Sequence, residues 1–413
     1  MNRLTRLRHI PILRIELYLF YFSVLDILFL PYVFWIATTY SQIFVVFWFF
    51  SKKRVVFRKN EYKLFWVLIY IVLLSTAISF FTVPSKYYYS EGLIENIKRG
   101  IQLIFSITYY FFFYYIFSTY KINIKKILFL FVLFIAIWGV IYYNNFELFV
   151  LLKSFFNSKD SFLGMIDGSY IYRFSFIWSD PNNIGYSIVG VVIFLLCNCN
   201  LEFFKGWIII FILFFILMLT MSSGSWLSLA LFFPISFFLW IVGYYKRMSN
   251  ISRLILLITL SFIIALLIYE FIQFQKSEIG MMAMERIENN SGDSRFIHWK
   301  NTLEDKIIPL YILFGEGYQT FVNGIPYSPH SGHLLLYFGY GFIGYLIFMY
   351  ITFRKRKNIP VRNYLFVLPF LFCFTVNIGI GELKFTALLY MLIAKMCIDN
   401  IYEDENLLYR ALR

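Results

Sequence analysis

The sequence predicts an all-α, polytopic membrane protein, on three observations. Of its 413 residues, 60% are hydrophobic and only 15% are charged, against about 25% charged in a soluble domain. The apolar residues gather in runs that approach or reach the roughly 20 residues needed to cross a bilayer as a helix. Rings are abundant, with 52 Phe, 33 Tyr and 9 Trp, as expected of faces lying on acyl chains with aromatic anchors at their rims.

By that ruler the chain holds about twelve spans. The first six run Ile15–Leu30, Tyr32–Phe50, Tyr62–Val83, Gly100–Ser118, Ile127–Tyr143 and Asn183–Asn198. The rest run Trp207–Met221, Ser225–Gly243, Leu254–Phe271, Leu334–Phe353, Tyr364–Ile380 and Leu383–Ile398. Pro31 marks the turn between the first two, a stretch that admits other divisions. No small-residue cleavage site follows the first apolar run, so the expectation is an uncleaved membrane protein. The whole chain, 1–413, reads as a single integral membrane domain, without tandem repeats or low-complexity linkers.

The formal charge of +14 raises the question of nucleic acid, and its distribution argues against it. Basic clusters precede the first span and follow the second, fourth, eighth and tenth, all on one side if there are twelve. That is the bias of cytoplasmic loops. The segment Gln273–His333 instead holds five basic and seven acidic residues, so it reads as a large, late extracytoplasmic loop. Both termini are then expected in the cytoplasm. The four cysteines lie in or at the ends of apolar runs, a placement that suggests neither disulfides nor a zinc site.

Three outward patches carry the polar residues that could do chemistry. In the first, Asp180 is a natural N-cap with Pro181 in the first helical turn and Asn182 beside it. Capping does not account for Arg173, which a bland reading makes a snorkelling anchor. In the second, a helix would put Arg295, His298 and Trp299 on one face. That fits an interfacial helix, or a guanidinium fork aimed at a phosphate. In the third, His330 and His333 lie just ahead of a helix marked by Gly339, Gly341 and Gly344. Two histidines without a clear third ligand make a poor metal site, whereas one imidazole suits proton transfer near neutral pH. The glycines read as close helix packing. Within the spans, Asp26 and Lys395 are the deepest charges, explained by transport or equally by a buried Asp–Lys pair.

Taken in order, Arg173 with Asp180-Pro181-Asn182, Arg295 and Trp299 leading to Gly315-Glu316-Gly317, and His330 through Gly341 and Gly344 resemble the O-antigen polymerase and O-antigen ligase family of bacterial polysaccharide assembly. The resemblance covers about Tyr170 to Tyr345 by motif and the remainder by hydropathy. Two departures stand out. The family often has Ser-Arg-Gly where this chain has Met221-Ser222-Ser223-Gly224-Ser225, so one expected cation is absent. The family histidine is usually followed by Asn, where Ser331 follows His330. Spacing to Gly344 favours His330 over His333, and which of the two faces substrate stays open.

The resemblance implies a glycan transferred from an undecaprenyl diphosphate carrier at the outer face of the bacterial inner membrane. A leaving diphosphate needs a metal or a set of cations. No external Asp cluster offers Mg²⁺ a seat, and the expectation is catalysis without metal or other cofactor. Arg173 and Arg295 are the cations, and His330 is the general base for the attacking hydroxyl. One displacement assisted in this way inverts the anomeric centre. The expected activity is polymerisation of lipid-linked repeat units; ligation of finished polymer to an acceptor, or polysaccharide transport, are the alternatives. Membrane lipid, a chain-length regulator and a flippase of the same pathway are the partners so implied, and nucleic acid is not.

Overall fold

The computed structural model describes residues 12–30, 39–51, 59–87, 92–120, 122–155, 163–166, 169–175, 178, 180–199, 201–245, 309–318, 320–322, 325–327, 331–354, 359–376 and 382–411. They form helices α1 (Ile12–Phe29), α2 (Tyr40–Ser51), α3 (Lys59–Thr82), α4 (Leu93–Thr119), α5 (Lys125–Asn144) and α6 (Phe146–Phe155). Next come α7 (Pro181–Asn198), α8 (Phe203–Thr220), α9 (Ser223–Tyr245) and α10 (Pro309–Phe314), then α11 (Gly332–Phe353), α12 (Val367–Val376) and α13 (Leu383–Ala411). Among the described residues the strands make two short antiparallel hairpins. They are β1 (Leu163–Ile166) with β2 (Ser169–Tyr172), and β3 (Thr320–Val322) with β4 (Ile325–Tyr327).

Six of the described helices are long and apolar enough to cross a membrane: α3 from Asn60, α4, α5, α7, α8 and α11. The expected spans coincide with helices to within a few residues at α3, α5, α7, α8, α9 and α11. The first expected span agrees equally well with α1, and the last starts with α13, which continues to Ala411; others differ. α4 begins seven residues before the expected Gly100, because Leu93–Arg99 continues the helix with charges on its first turns. α2 opens at Tyr40 rather than Tyr32. α6 was not expected: Asn145 ends α5 and its Oδ1 accepts from Leu148 N at 2.9 Å, starting a second short helix at once. The expected span Leu254–Phe271 lies outside the described residues.

Residues Met1–Ala230 and Pro309–Arg413 belong to one compact unit, and Leu231–Ile308 to a second. Of the second, the described part is the far end of α9, which contains Pro234. Within the first unit α4 makes its most extensive contact with α13. Phe111, Phe112, Phe113 and Phe117 of α4 are buried. Phe113 and Phe117 meet Phe20 of α1 edge-on, at 6.0 and 5.6 Å. Phe49 of α2 packs on Phe65 and Phe111. Such offset and edge-on pairs favour the ring quadrupoles.

Buried carboxylates in this bundle have donors, as a medium without water demands. Glu16 accepts from Trp48 Nε1 at 2.9 Å and from the Tyr115 hydroxyl at 3.0 Å. Glu61 accepts from the Tyr110 hydroxyl at 2.9 Å. Asp26 accepts from Ser41 N at 2.5 Å. Since Glu16 meets the end of α2 and Asp26 its start, α1 and α2 run antiparallel. Other faces leave large apolar side chains bare, Phe81, Phe203 and Phe211 among them, which is what lipid tails would cover.

The expected pairing of deep charges needs a correction. Asp26 is matched with Lys384, not Lys395: Lys384 Nζ lies 4.0 Å from Asp26 Oδ1 with both side chains fully enclosed. The same ammonium donates to the carbonyls of Asp26, at 2.7 Å, and Leu30, closing the last turn of α1 as a cation does at a helix C-terminus. Lys395 bonds Asp399 one turn away, at 2.5 Å. Proximity along a helix decided that partner.

Of the patterned glycines, Gly339 and Gly341 lie against backbone and Gly344 against side chains, Ile71 of α3 among them. Inside α11, Gly341 adopts φ 68°, ψ 178° and breaks the helix. The break frees carbonyls of the preceding turn, and the loop after α10 meets them. Glu316 N donates to Phe338 O at 2.9 Å and Gly317 N to Gly339 O at 3.0 Å, while the Ser75 hydroxyl of α3 also donates to Gly339 O. Gly315 and Gly317 take φ +76° and +98°, a region that glycine enters without steric cost.

Candidate functional site

The site grows from the ends of three helices. Asp180 has extended backbone, and its side chain accepts from Asn182 N at 2.7 Å, so α7 starts at Pro181 as the local sequence predicts. α8 ends where Met221 turns left-handed, at φ 48°. Its last carbonyls would be orphaned, and the stretch after β2 supplies their donors. Phe174 N donates to Leu219 O at 3.1 Å. Arg173 Nε donates to Thr220 O at 2.9 Å, and Arg173 Nη2 donates to Met221 O at 3.2 Å. Nη2 donates as well to Asn182 Oδ1 at 2.9 Å.

Arg173 and Asn182, two of the residues expected in the site, are thus in direct contact. Arg173 is half-buried, and it does more than snorkel: its Nε–Nη2 edge ties α7 to α8. Nη1 makes no hydrogen bond among the described residues, so a guanidinium held on one edge keeps a nitrogen for something else. Burial pulls its pKa below the ordinary value while Asp180 pushes the other way. A group starting so far above neutrality stays charged.

Behind this stretch lies a residue that sequence reasoning missed. Lys153 of α6 is 3% exposed. Its Nζ donates to the Ser175 hydroxyl and sits 5.7 Å from the centre of the Phe149 ring. Burial pulls the amine down to about 6. Phe149 packs on Phe174 at 5.9 Å and on Tyr142 at 5.0 Å. The available signal was the spacing of Phe149 and Lys153, four apart on an otherwise polar-flanked short helix.

The start of α9 carries no cation. Ser222 and Ser225 are buried and share a hydrogen bond of 2.8 Å. A Cβ on Gly185 would lie 3.1 Å from Ser225 Cβ, and one on Gly224 3.0 Å from Tyr186 Cζ. Small residues let α7 and α9 approach.

A second cation, half-buried, lies against the residue that follows the Gly-Glu-Gly loop. Arg99 Nε donates to Glu95 at 2.6 Å and Nη1 to Gln102 at 3.1 Å, and the guanidinium lies 5.3 Å from the centre of the Tyr318 ring. Arg99 sits in the charged first turns of α4, outside the expected span, which is why its contacts were not foreseen.

His333 makes its contacts elsewhere. Its Nδ1 is 3.4 Å from the Tyr345 hydroxyl, and its ring meets Phe374 of α12 edge-on at 6.2 Å. Arg295, His298, Trp299 and His330 lie outside the described residues. Among the described residues, no group of three or more His, Cys, Asp or Glu is placed to hold a metal ion. Comparison with known proteins adds nothing to this geometry: no family model matches the chain, and no curated protein matches it.

Proposed function

We propose that this chain is a glycosyltransferase of the bacterial inner membrane that joins undecaprenyl-diphosphate-linked repeat units into a surface polysaccharide. The observation that carries the reading is Arg173, a guanidinium fixed between the ends of two apolar helices, whose Nη1 makes no hydrogen bond among the described residues. A fixed cation at a membrane rim is suited to a lipid diphosphate, because it stabilises leaving-group charge without reorganising. Arg295 is the proposed second cation and His330 the proposed base that takes the proton of the attacking sugar hydroxyl. The reaction so written needs no metal and inverts the anomeric carbon. It goes with about twelve spans, cytoplasmic termini and an external loop over Gln273–His333.

Ligation of finished polymer uses the same donor chemistry and differs in acceptor. The test separates the two. A deletion strain complemented with Arg295→Ala or His330→Ala should make no long chains, with a single repeat unit retained on the cell surface and the protein still inserted. Wild-type chain lengths from either variant would overturn the roles assigned. Long chains retained on the lipid carrier, but missing from the surface, would identify a ligase.

A further inference from the structure

Helix α6 has one inward stripe. Of its residues whose side chains are described, 146–154, only Phe149 and Lys153 are buried. They are four apart, hence neighbours on one face. They meet successive residues of the stretch that carries the guanidinium, Phe149 on Phe174 and Lys153 on Ser175. From the other side the same stretch is tied by Phe174 N to Leu219 O and by Arg173 to Thr220 O, Met221 O and Asn182. Residues 173 to 175 are therefore clamped between α6 and the facing ends of α7 and α8.

A lysine is a costly residue for this place. An amine buried among rings loses hydration that an apolar side chain of the same length would not need. What Lys offers over Met or Leu is a donor at the tip of a long stem, reaching Ser175 without drawing the backbone of α6 closer. Ser175 is itself fully buried, so its hydroxyl needs a partner. Only Phe174 separates it from Arg173, and a trans chain spans at most about 3.6 Å per residue. A shift of the hydroxyl is therefore passed to the guanidinium with little slack.

We infer that Lys153 is a positioning residue: by holding Ser175 it sets where Arg173 presents Nη1 to an anionic lipid headgroup. The inference rests on the reading of Arg173 as the diphosphate ligand. It adds a residue on a different helix that fixes the geometry of that site. Misplacing a catalytic group by about 1 Å can cost on the order of 100-fold in rate, and a hydrogen bond to a charged headgroup is likewise lost when its donor moves out of reach.

The test is titration of the purified full-length protein in detergent with farnesyl diphosphate, a short prenyl diphosphate. Lys153→Met and Ser175→Ala should each weaken binding by roughly 10-fold, the loss of about one charge-assisted hydrogen bond to the headgroup. The double variant should be no weaker than either alone, because both remove one bond. Lys153→Arg, which keeps a donor, should restore most of the affinity. Ser175→Ala removes a single oxygen and so covers the case in which Lys153→Met fails to fold. Independent, multiplying losses in the double variant would overturn the coupling, since general loosening behaves that way. Arg173→Ala separates the two levels. If it binds as wild type does, the diphosphate reading falls and takes the role of Lys153 with it. If it loses binding while Lys153→Met and Ser175→Ala keep wild-type affinity, only the inference about Lys153 is overturned.

Discussion

Gly315→Ala probes the contact between the loop after α10 and the broken helix α11. Two costs add. At φ +76° a Cβ enters the left-handed region, at about 1–2 kcal/mol. The added methyl would also lie 2.5 Å from Tyr340 N and closer still to Gly339 O, which are backbone atoms that no rotamer change can move. The loop must then withdraw, and it takes with it the bonds from Glu316 N to Phe338 O and Gly317 N to Gly339 O. Each is worth about 0.5–1.5 kcal/mol net, and more where the freed groups stay buried. The sum is roughly 2–5 kcal/mol, or a fall in melting temperature on the order of 5–10 °C. The assay is the fraction of monodisperse protein left after heating in detergent. Gly206→Ala is the control, since a Cβ there meets nothing within 4 Å. It should melt at or slightly above wild type, alanine being the better helix former by about 0.5–1 kcal/mol. A Gly315→Ala protein that melts with the control would show that this contact does not hold the loop.

Two further outcomes follow from the buried amines. Lys384→Met should cost about 3–5 kcal/mol, because it leaves the Asp26 carboxylate buried and unmatched, whereas Lys395→Met should cost under about 1 kcal/mol at a pair that water still reaches. Equal melting temperatures for these variants would contradict the assigned pairing. For Lys153 the folded value of about 6 lies below the ordinary 10.5. Between those limits the unfolded chain binds a proton that the native one does not, so native stability rises with pH across the window. Lys153→Met should lessen that rise, and melting curves of variant and wild type taken at pH 6.5 and pH 9 will show whether it does.

What could be read from the sequence was what is local. The apolar runs set α3, α5, α7, α8, α9 and α11 to within a few residues, because length and hydropathy alone mark an apolar helix. Asp180-Pro181-Asn182 marked a helix start since an N-cap bonds within its own turn. Partners remote in sequence were not legible. Nothing near Asp26 points to Lys384, and Lys395 looked equally deep until its own next turn supplied Asp399. Arg173 stood out as unexplained, but the α8 carbonyls that fix it lie nearly fifty residues further along the chain. Lys153 was passed over because a lysine between two apolar runs reads as solvent-facing, and only a tertiary contact encloses it. The reverse held at Gly339 and Gly341, where the residue type foretold close approach although not what approaches.

The interruption at Gly341 also bears on how the protein is made. A straight helix over Gly332–Phe353 satisfies its own backbone and can pass sideways from the insertion machinery into lipid. A helix already broken there would carry bare carbonyls into hydrocarbon, at several kcal/mol each. The groups that cover them, Glu316 N and Gly317 N, belong to the segment synthesised just before. In lipid the bend is therefore stable only with that segment folded back over it, so the break in α11 and the loop that covers it stand or fall together.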